Sequence, residues 1–554
     1  MFRLLTRLAI LSILLSLALP LHAQRSDPRF GAVDASDNPA VAAQLGVGWT
    51  RLRFQWTEIQ PNDPNQWNDA KLEAMVNAEI AAGREVAGLV LNTPPWARKD
   101  ANKVGVPMGM ELPADDPQNV WAAFLRKLVS KYAGRVSHWI IWNEPDIWDS
   151  NYSGQTWSGS VGEYLQFQRV AYLVAKSANP NAVIHLAGFT YWWDVNYNRK
   201  PFFERFLNAL RDDPNAAANH YYFDVVTVHQ YFRPDSIYDL TAYHHAMMRA
   251  IGFDKPVWIV ETNAAPSLDP TWPAPDSRFR ITLDEQGAFI LQAFAMGIAA
   301  GAERIAVYKL ADTPGDKAAN PEPFGLVRMD GTQRPAFRAF QLATAYYAGF
   351  HSATLDRRDN ATQVTVDRGA QTTTVLWSRV GPAQKVALKA RTSSALIVDT
   401  RNGATWTQNA KEGQYTLDLP GAPCSQPVDD VCLIGGWPIL VVEQANGQPV
   451  APLPVGPPLV VQPTSVPATQ TISKTITPAL ASATPTATAT PTATATPSHT
   501  PTATATATPS FTPTLTATAT PNPAVSSPEF DARAGWVIVS VLLVFLAALV
   551  LRPR

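Results

Sequence analysis

The chain has 554 residues, more than one hydrophobic core usually holds, so we expect at least two folded units. A formal net charge of −1 at pH 7 gives no reason to expect a polyanionic partner, and nucleic-acid binding is therefore not predicted. Aromatic residues make up 10% of the chain and include 17 tryptophans, which is typical of a large core or of a site that stacks on flat apolar faces such as sugar rings.

The first segment has the features of a secretory signal peptide. Arg3 and Arg7 precede an apolar run over residues 8–19, and an A-x-A-like cleavage site ends at Ala23. The apolar run is short for a membrane span. We therefore predict a signal peptide over residues 1–23 and export of the remainder.

Residues 27–350 alternate between apolar runs and alanine-rich helical patterns. The runs that predict strands cover residues 30–33, 50–54, 85–91, 138–142, 183–187, 223–228, 257–260 and 304–308. The patterns that predict helices cover residues 71–82, 120–131, 162–178, 201–210 and 286–300. Alternating strands and helices predict an α/β fold with a parallel sheet, and eight such units in about 250–350 residues predict a closed (β/α)8 TIM barrel.

The alternative for the same pattern is a doubly wound open sheet. That fold usually carries a glycine-rich nucleotide-binding loop after its first strand. Residues 34–37 of this chain read Asp-Ala-Ser-Asp instead, so the barrel is preferred for residues 27–350.

Residues 351–444 show short alternating runs separated by turn signals. The runs cover residues 363–366, 373–377, 385–388, 395–398 and 439–442, and an Asn-Gly turn stands at residues 402–403. We predict a small all-β, sandwich-like domain behind the barrel, with packing support preferred over sugar binding as its role. The only two cysteines, Cys424 and Cys432, could close a small loop as a disulfide in an exported protein, and two buried free thiols are the alternative.

The remaining segments predict a tether. Residues 445–528 are mostly Pro, Thr, Ala and Ser with tandem Ala-Thr-Pro repeats, a composition that predicts a disordered stalk. Residues 535–551 are almost wholly apolar, near the shortest length of a transmembrane helix, and two arginines follow. We expect a single-pass anchor that holds the folded part at the outer cell surface. The alternative is a sorting tail that is cut and replaced by another anchor, which residues 527–530 faintly resemble.

Two glutamates stand at the ends of predicted strands. The run 138–142 leads into Asn143 and Glu144, and the run 257–260 leads into Glu261. In a (β/α)8 barrel the carboxyl ends of the strands line the active site, so Glu144 and Glu261 are expected to face one cleft. Such a pair suits glycoside hydrolysis, in which one carboxyl protonates the leaving oxygen while the other attacks the anomeric carbon or activates water. A helix cap or a salt bridge is the alternative for either glutamate alone.

The run Trp-Asn-Glu-Pro at residues 142–145 after the fourth strand, together with Glu261 at the seventh, resembles clan A glycoside hydrolases. The resemblance covers residues 27–350 and implies a barrel with a retaining, double-displacement mechanism. It implies that Glu144 is the acid/base and that Glu261 is the nucleophile. It further implies that Asn143 hydrogen-bonds the 2-hydroxyl of the sugar.

Other positions carry residue types that the clan usually has at the same strands. The resemblance implies an arginine on the second strand that keeps the nucleophile ionised by lowering its pKa; Arg51 fits this place best, and Arg53 is the alternative. It implies a histidine and a tyrosine after the sixth strand, which His229 and Tyr231 supply, with the tyrosine donating to the nucleophile. A satisfied core histidine is the alternative for His229.

Four aromatic residues are candidates for stacking on sugars: Trp56, Trp96, Trp148 and Tyr308. Packing is the preferred explanation of each one taken alone. Trp96 ends a Thr-Pro-Pro-Trp run that resembles families 5 and 39 of the clan. The clan often has a tryptophan at the end of the eighth strand, where this chain has Tyr308.

The sequence shows no evident metal site, phosphate loop or serine nucleophile elbow, so neither a metal nor a cofactor is predicted. The preferred function is that of a monomeric, membrane-tethered retaining β-glycosidase whose partners are its carbohydrate substrate and the membrane. A non-catalytic carbohydrate-binding protein on a decayed barrel is the second hypothesis, although both glutamates and Asn143 are present. A structural element of the cell surface is the third, and it leaves the paired glutamates unexplained.

Overall fold

The structure is a computed structural model that describes residues 26–453, except for residues 102–103, 153 and 320–321 and the side chains of residues 318 and 319. The predicted signal peptide, the predicted membrane helix and the predicted stalk beyond residue 453 lie outside the described residues. Among the residues that are described, no helix is both long enough and apolar enough to cross a bilayer.

Eight parallel strands close into a barrel in which each strand pairs with the next along the chain and the last pairs with the first. The strands are β1 (Phe30–Val33), β2 (Trp49–Gln55), β3 (Glu85–Leu91), β4 (His138–Ile141), β5 (Val183–Phe189), β6 (Val225–His229), β7 (Val257–Thr262) and β8 (Ala302–Val307). Closure is visible in the register of β1 and β8, where Gly31 lies opposite Ala306. The predicted barrel is confirmed, and the open doubly wound sheet is wrong.

Helices connect the strands on the outside of the barrel. The α-helices of the described ranges are α1 (Pro39–Gln44), α2 (Trp56–Ile59), α3 (Ala70–Ala81), α4 (Val120–Lys131), α5 (Val161–Ala178), α6 (Trp192–Asn196), α7 (Phe202–Arg211), α8 (Pro234–Ala250), α9 (Leu283–Ala299), α10 (Pro314–Ala319) and α11 (Pro335–Tyr346). Capping boxes start α5 and α9: Ser160 pairs with Glu163, and Thr282 pairs with Glu285. Each box satisfies backbone N–H groups that the first helical turn leaves without partners. Helices α1, α2, α6, α8, α10 and α11 were not among the helices named from the sequence.

Tryptophans fill the lower interior of the barrel. Trp49 and Trp258 stand near the starts of β2 and β7, are 1% exposed, and have ring centroids 5.2 Å apart. Gly31 on β1 makes room for the Trp49 ring, because a Cβ at that position would lie 2.3 Å from it. Below the carboxyl ends of the strands the barrel is therefore a packed core, and not a pore.

Antiparallel strands form the region that follows the barrel. They are β9 (Ser352–Arg357), β10 (Ala361–Asp367), β11 (Gln371–Ser378), β12 (Gln384–Lys389), β13 (Ser394–Asp399), β14 (Thr405–Asn409), β15 (Gln414–Leu419), β16 (Pro427–Val428), β17 (Val431–Cys432) and β18 (Ile439–Gln444). Six form one sheet in the order β14-β13-β18-β11-β10-β9, while β12 pairs with β15. Leu417 on β15 belongs to one hydrophobic cluster with Ile397 and Val441 of the six-stranded sheet, so the predicted all-β region is confirmed. A disulfide joins Cys424 to Cys432, and the free-thiol alternative is wrong.

The six-stranded sheet shares its core with the barrel through α9. Gln292 on α9 donates to the carbonyl oxygen of Gly436 at 2.9 Å and accepts from the N–H of Gly435 at 3.2 Å. Trp437 covers Gly287 of the same helix, where a Cβ would lie 2.3 Å from the indole ring. This second contact explains why α9 is apolar on nearly all sides, since it is buried between two layers.

A cavity of about 1340 Å³ opens at the end of the barrel where the strands begin. Residues beside the starts of β2, β3 and β4 line it, among them Gly48, Glu85 and Ser137. Ser26 and Leu453 line it too. The described part of the chain therefore enters and leaves the fold at the end of the barrel opposite to the carboxyl ends of the strands.

Candidate active site

Glu144 lies just beyond β4 on a sharply turning backbone. Trp142 and Glu144 have φ angles of 81° and 47°, in the left-handed region that non-glycine residues rarely adopt. The N–H of Trp142 donates to the carbonyl oxygen of Val90 at 2.9 Å. The N–H of Glu144 donates to the carbonyl oxygen of Gly188 at 3.0 Å. The turn is thus held by both neighbouring strands, and the Glu144 side chain keeps 21% of its surface exposed.

Glu261 lies near the end of β7, and only 8% of its side chain is exposed. Arg51 on β2 forms an ion pair with Oε1 through its Nη2. Tyr231, which follows β6, donates its phenol O–H to Oε2. Each oxygen of this buried carboxylate therefore has a partner, as a buried charge requires.

His229, the last residue of β6, lies between the two glutamates. Its Nδ1 is 2.7 Å from Oε1 of Glu144 and 3.4 Å from Oε2 of Glu261. Its Nε2 is 3.5 Å from Nη1 of Arg51. One oxygen from each carboxylate and a ring nitrogen all lie within 4.8 Å of one another. The imidazole is therefore a bridge between the carboxylates, and not a core histidine remote from them.

Gly188 on β5 makes room for that imidazole and was not predicted from the sequence as a site residue. A Cβ at position 188 would lie 2.1 Å from Nε2 of His229. Because the imidazole of His229 has polar contacts at both ring nitrogens, moving it away from a new Cβ would break those contacts. Gly188 is thus a residue on which the position of His229 depends.

Opposing influences set the pKa of Glu261. Burial pushes this pKa upward, since it disfavours the charged form. The positive charge of Arg51, a smaller electrostatic contribution from His229 and the hydrogen bonds from Tyr231 and Arg51 outweigh burial. The pKa of Glu261 therefore lies below its ordinary value, and the carboxylate is ionised at neutral pH.

Tyr231 and Tyr308 form the wall beside Glu261, with ring centroids 6.1 Å apart. Burial, followed by the negative charge of Glu261, raises the pKa of both phenols. Both tyrosines are therefore protonated at neutral pH and remain hydrogen-bond donors.

Arg51 and Arg53 take different places, although both point to the same side of β2. Arg53 is 53% exposed at its side chain and pairs with Asp34 at 3.2 Å. Only Arg51 has an ion pair with Glu261. The geometry therefore favours Arg51 as the partner of the buried glutamate.

The other predicted positions divide between the strand ends and the surrounding loops. Asn143 is half-buried next to Glu144, and it continues the pairing of β4 by a bridge to Gly188. Trp56 is 1% exposed and stacks on Phe124 at 4.6 Å, so it is part of the core and not a sugar platform. Trp96 is half-buried, with its ring 6.0 Å from that of Trp56 in a T-shaped contact.

Asp146 is a functional candidate that was not predicted from the sequence. It is 1% exposed and accepts hydrogen bonds from the N–H and hydroxyl of Thr190, each at 2.8 Å, and from the N–H of Tyr191 at 3.0 Å. Burial raises the pKa of Asp146 to about 6, and the hydrogen bonds from Thr190 offset only part of this effect. This carboxyl ties the loop that follows Glu144 to the loop that follows β5.

Glu144, His229 and Glu261 are also residue types that bind transition metals. The arrangement fits a cation poorly, however. Oε1 of Glu261 faces the guanidinium of Arg51, and Oε2 accepts from Tyr231. A divalent cation would have to displace both donors and lie beside a fixed positive charge, so we assign no metal to these residues.

No model of a known protein family matches the chain. Among solved structures, the chain is similar to a family 39 glycoside hydrolase from Bacteroides cellulosilyticus WH2, with 15% identity, 76% of this chain and 82% of that chain covered, and a TM-score of 0.57. It is also similar to a GH30 endoxylanase from Clostridium papyrosolvens C71, with 14% identity, coverage of 77% and 98%, and a TM-score of 0.50. A third is CelM2, a bifunctional glucanase-xylanase from a metagenome library, with 13% identity, coverage of 76% and 97%, and a TM-score of 0.50. At these identities the likeness shows the fold.

Proposed function

We propose that the chain is a retaining glycoside hydrolase that cleaves O-glycosidic bonds of β-linked oligo- or polysaccharides. The observation that carries the proposal is the pairing of two unlike glutamates at the mouth of the barrel. Glu144 is partly exposed, whereas Glu261 is buried and ion-paired, and an oxygen of each lies within 4.8 Å of the other.

The separation of the two carboxyls supports retention of configuration. Carboxyls about 5–5.5 Å apart are typical of retaining glycosidases, in which one of them attacks the sugar directly. Inverting enzymes need about 6.5–9.5 Å, because a water must fit between carboxyl and sugar. One oxygen of Glu144 and one oxygen of Glu261 lie within 4.8 Å of each other, which favours the retaining arrangement.

In the first step Glu144 gives its proton to the glycosidic oxygen as the bond from that oxygen to the anomeric carbon breaks. The ionised Glu261 attacks the anomeric carbon from the opposite face and forms a glycosyl ester. Arg51 and Tyr231 hold the attacking carboxylate in place, so little reorganisation is needed as its charge disperses.

In the second step Glu144, now a carboxylate, takes a proton from a water molecule. The oxygen of that water attacks the anomeric carbon, and Glu261 departs as a carboxylate. Two inversions give a product with the configuration of the substrate. We assign Asn143 to the 2-hydroxyl of the bound sugar because it directly precedes Glu144 at the strand end.

The test is hydrolysis by the purified folded part. The assay uses aryl β-xylosides, glucosides, mannosides and galactosides together with xylan, β-glucan, mannan and galactan. Xylan and β-glucan are tested first, because the chain is similar to an endoxylanase and to a glucanase-xylanase. Proton NMR of the first product is expected to show retained configuration. Glu144→Ala and Glu261→Ala are each expected to lower turnover by at least about a thousandfold while folding is kept.

Glu412→Gln is the matched control, because Glu412 is an exposed glutamate in the β14–β15 turn of the other domain. Azide distinguishes the two roles: a small anion that needs no base restores turnover of Glu144→Ala on an activated aryl glycoside, and the glycosyl azide keeps the substrate configuration. A Glu261→Ala variant with near wild-type hydrolysis contradicts the proposal. Wild-type protein that binds glycans without cleaving them favours a carbohydrate-binding protein instead.

We further propose, from the sequence of the terminal segments alone, that the folded part lies outside the cell on a membrane-anchored stalk. The signal-peptide features of residues 1–23, the Pro/Thr/Ala composition of residues 445–528 and the apolar run 535–551 support this. Protease treatment of intact cells is expected to release the hydrolase. Activity that stays inside protease-treated cells contradicts the proposal.

A further inference from the structure

An exposed group of aromatic rings lies on the loops that follow β4 and β5, and neither the hydrophobic core nor the two-glutamate mechanism accounts for it. It consists of Trp148 and Tyr152 from the loop after β4 and of Trp193 and Tyr197 from α6 and the residue that follows it. We call these four residues the β4–β5 aromatic patch. Tyr152 is 46% exposed and Tyr197 is 51% exposed, an unusual exposure for large aromatic side chains.

The rings of the patch form a continuous series. The centroid of Trp148 is 5.4 Å from that of Tyr197, Tyr197 is 5.7 Å from Trp193, and Trp193 is 4.8 Å from Tyr152. The guanidinium of Arg199 lies 4.2 Å from the centre of the Trp148 ring. Trp148 and Trp193 are half-buried and support the exposed tyrosines, so the patch is a built surface in contact with solvent.

Hydrogen bonds connect the patch to Glu144. Trp148 is four residues beyond Glu144, and its carbonyl oxygen accepts from the side chain of Gln155 at 2.8 Å. The hydroxyl of Thr156 donates to the carbonyl oxygen of Glu144 at 3.1 Å. Asp146 joins this loop to the start of the loop that carries Trp193 and Tyr197. The patch and Glu144 are therefore held in one framework.

The connection to the loop that carries Glu144 determines which part of a substrate the patch would meet. Glu144 gives its proton to the leaving oxygen in the proposed mechanism, so the sugar attached through that oxygen lies on the Glu144 side of the cleft. Aromatic faces stack on the C–H faces of sugar rings, and the phenol groups of tyrosine can hydrogen-bond to sugar hydroxyls. A neutral sugar chain therefore fits the patch.

We propose that the β4–β5 aromatic patch is a sugar-binding subsite on the leaving-group side of the cleft, and that the substrate is a glycan chain which extends beyond the cleaved bond. This inference rests on the proposed hydrolase function, because that function fixes which side of Glu144 the leaving group occupies. It assigns binding of the chain to Tyr152 and Tyr197, and supporting roles to Trp148 and Trp193.

The experiment compares a long with a short substrate. The variants are Tyr152→Ala, Tyr197→Ala and their combination, and Tyr152→Phe/Tyr197→Phe keeps the rings as a conservative control. The substrates are xylohexaose, cellohexaose and mannohexaose, and the aryl glycoside that the wild-type protein cleaves fastest. Trp406→Ala is the matched control, since Trp406 is a 44% exposed aromatic residue on β14.

The double alanine variant is expected to lose about tenfold or more in kcat/KM on the hexaose, mainly through KM. Its kcat/KM on the aryl glycoside is expected to stay within about twofold, because that substrate does not reach the patch. The double phenylalanine variant should recover most of the loss. Equal losses on both substrates, or no loss on the hexaose, overturn the inference; the second result would instead suit a protein partner on the patch.

A second readout separates failure of the subsite from failure of the proposed function. Binding of the same hexaoses is measured by calorimetry on Glu261→Ala proteins with and without the patch substitutions. If no protein cleaves a glycan but the patch substitutions abolish hexaose binding, sugar binding by the patch stands, whereas the hydrolase proposal and the leaving-group assignment fall together. Wild-type protein that neither binds nor cleaves any of the three hexaoses overturns the inference.

Discussion

Arg51 on β2 neutralises the buried carboxylate of Glu261 on β7, so a charge that burial alone would disfavour is kept ionised at neutral pH. The folded-state pKa of Glu261 is below the ordinary value of 4.5. The ion pair therefore stabilises the fold at pH values above about 4.5, and this contribution is lost as the pH falls through the folded-state pKa. The two residues link activity to stability in the acidic range.

Arg51→Met is expected to raise the pKa of Glu261, because burial is then opposed by fewer charges. The acidic limb of the kcat/KM profile should move to higher pH, and the free energy of unfolding at pH 7 should fall by about 3–5 kcal/mol, as for other broken buried pairs. Arg51→Lys should lose less, since it keeps the charge. The measurements are pH–rate profiles and urea denaturation. An acidic limb that does not move in Arg51→Met would contradict the role of the ion pair.

Tyr231→Phe is expected to lower kcat by about 10–100-fold, because it removes one hydrogen bond to a charged carboxylate. The fold should survive, since the ring keeps its contacts with Tyr308 and Phe324. Tyr132→Phe is the matched control: its phenol donates to Asp69 at 3.0 Å, in another part of the barrel. Steady-state kinetics decide, and an equal effect of both substitutions on kcat would speak against a specific role of Tyr231.

Gly188→Ala is expected to displace the imidazole of His229, because the new Cβ would overlap Nε2. We expect a loss of about 1–3 kcal/mol in stability from overpacking and a larger relative loss of kcat. Gly162→Ala on α5 is the control, since its nearest neighbour would be 3.8 Å away. Wild-type turnover in Gly188→Ala would show that the bridge between the carboxylates is dispensable.

Asp146→Asn tests whether ionisation of the buried Asp146 carboxyl destabilises the folded state. The pKa of Asp146 is raised to about 6 from an ordinary 3.8, so the folded state binds the proton more tightly than the unfolded state. Ionisation of Asp146 therefore lowers stability as the pH rises from about 4 to about 6, by roughly 3 kcal/mol at most. Asp146→Asn should be more stable than wild type at pH 7 and lose this advantage at pH 4.

Urea denaturation at the two pH values measures the effect, with Asp359→Asn on an exposed turn as the control. A stability difference between Asp146→Asn and wild type that is the same at pH 4 and pH 7 would mean that Asp146 does not titrate in this range.

The sequence was sufficient to predict the barrel and the meeting of its two strand-end glutamates. The reason is general: in a parallel barrel all carboxyl ends of the strands lie at one mouth, so the strand count alone brings Glu144 and Glu261 together. The strands themselves could be predicted because they are buried on both faces and therefore form continuous apolar runs in the sequence.

The sequence could not predict how far along the barrel axis a given side chain of a strand lies. Arg51 and Arg53 share one side of β2, and two residues along a strand correspond to about 6.6 Å. That displacement places Arg51 beside Glu261 and Arg53 beside Asp34, and it depends on the stagger of neighbouring strands.

Contacts between residues on different strands and loops could not be predicted from the sequence either. Gly188 matters because the ring of His229 lies against it. Asp146 matters because its partners are 44 and 45 residues further along the chain. Trp56 was a candidate platform, yet it starts α2 facing Phe124 and belongs to the core.

Leu453 lies at the end of the barrel where the strands begin. Its N–H donates to the phenol oxygen of Tyr346 at 3.1 Å. The paired glutamates and the β4–β5 aromatic patch belong to the opposite end. The proposed tether would therefore be joined to the barrel at the end opposite to the mouth. Fusion partners or immobilisation tags placed after Leu453 should for the same reason leave hydrolysis of polymeric substrates intact.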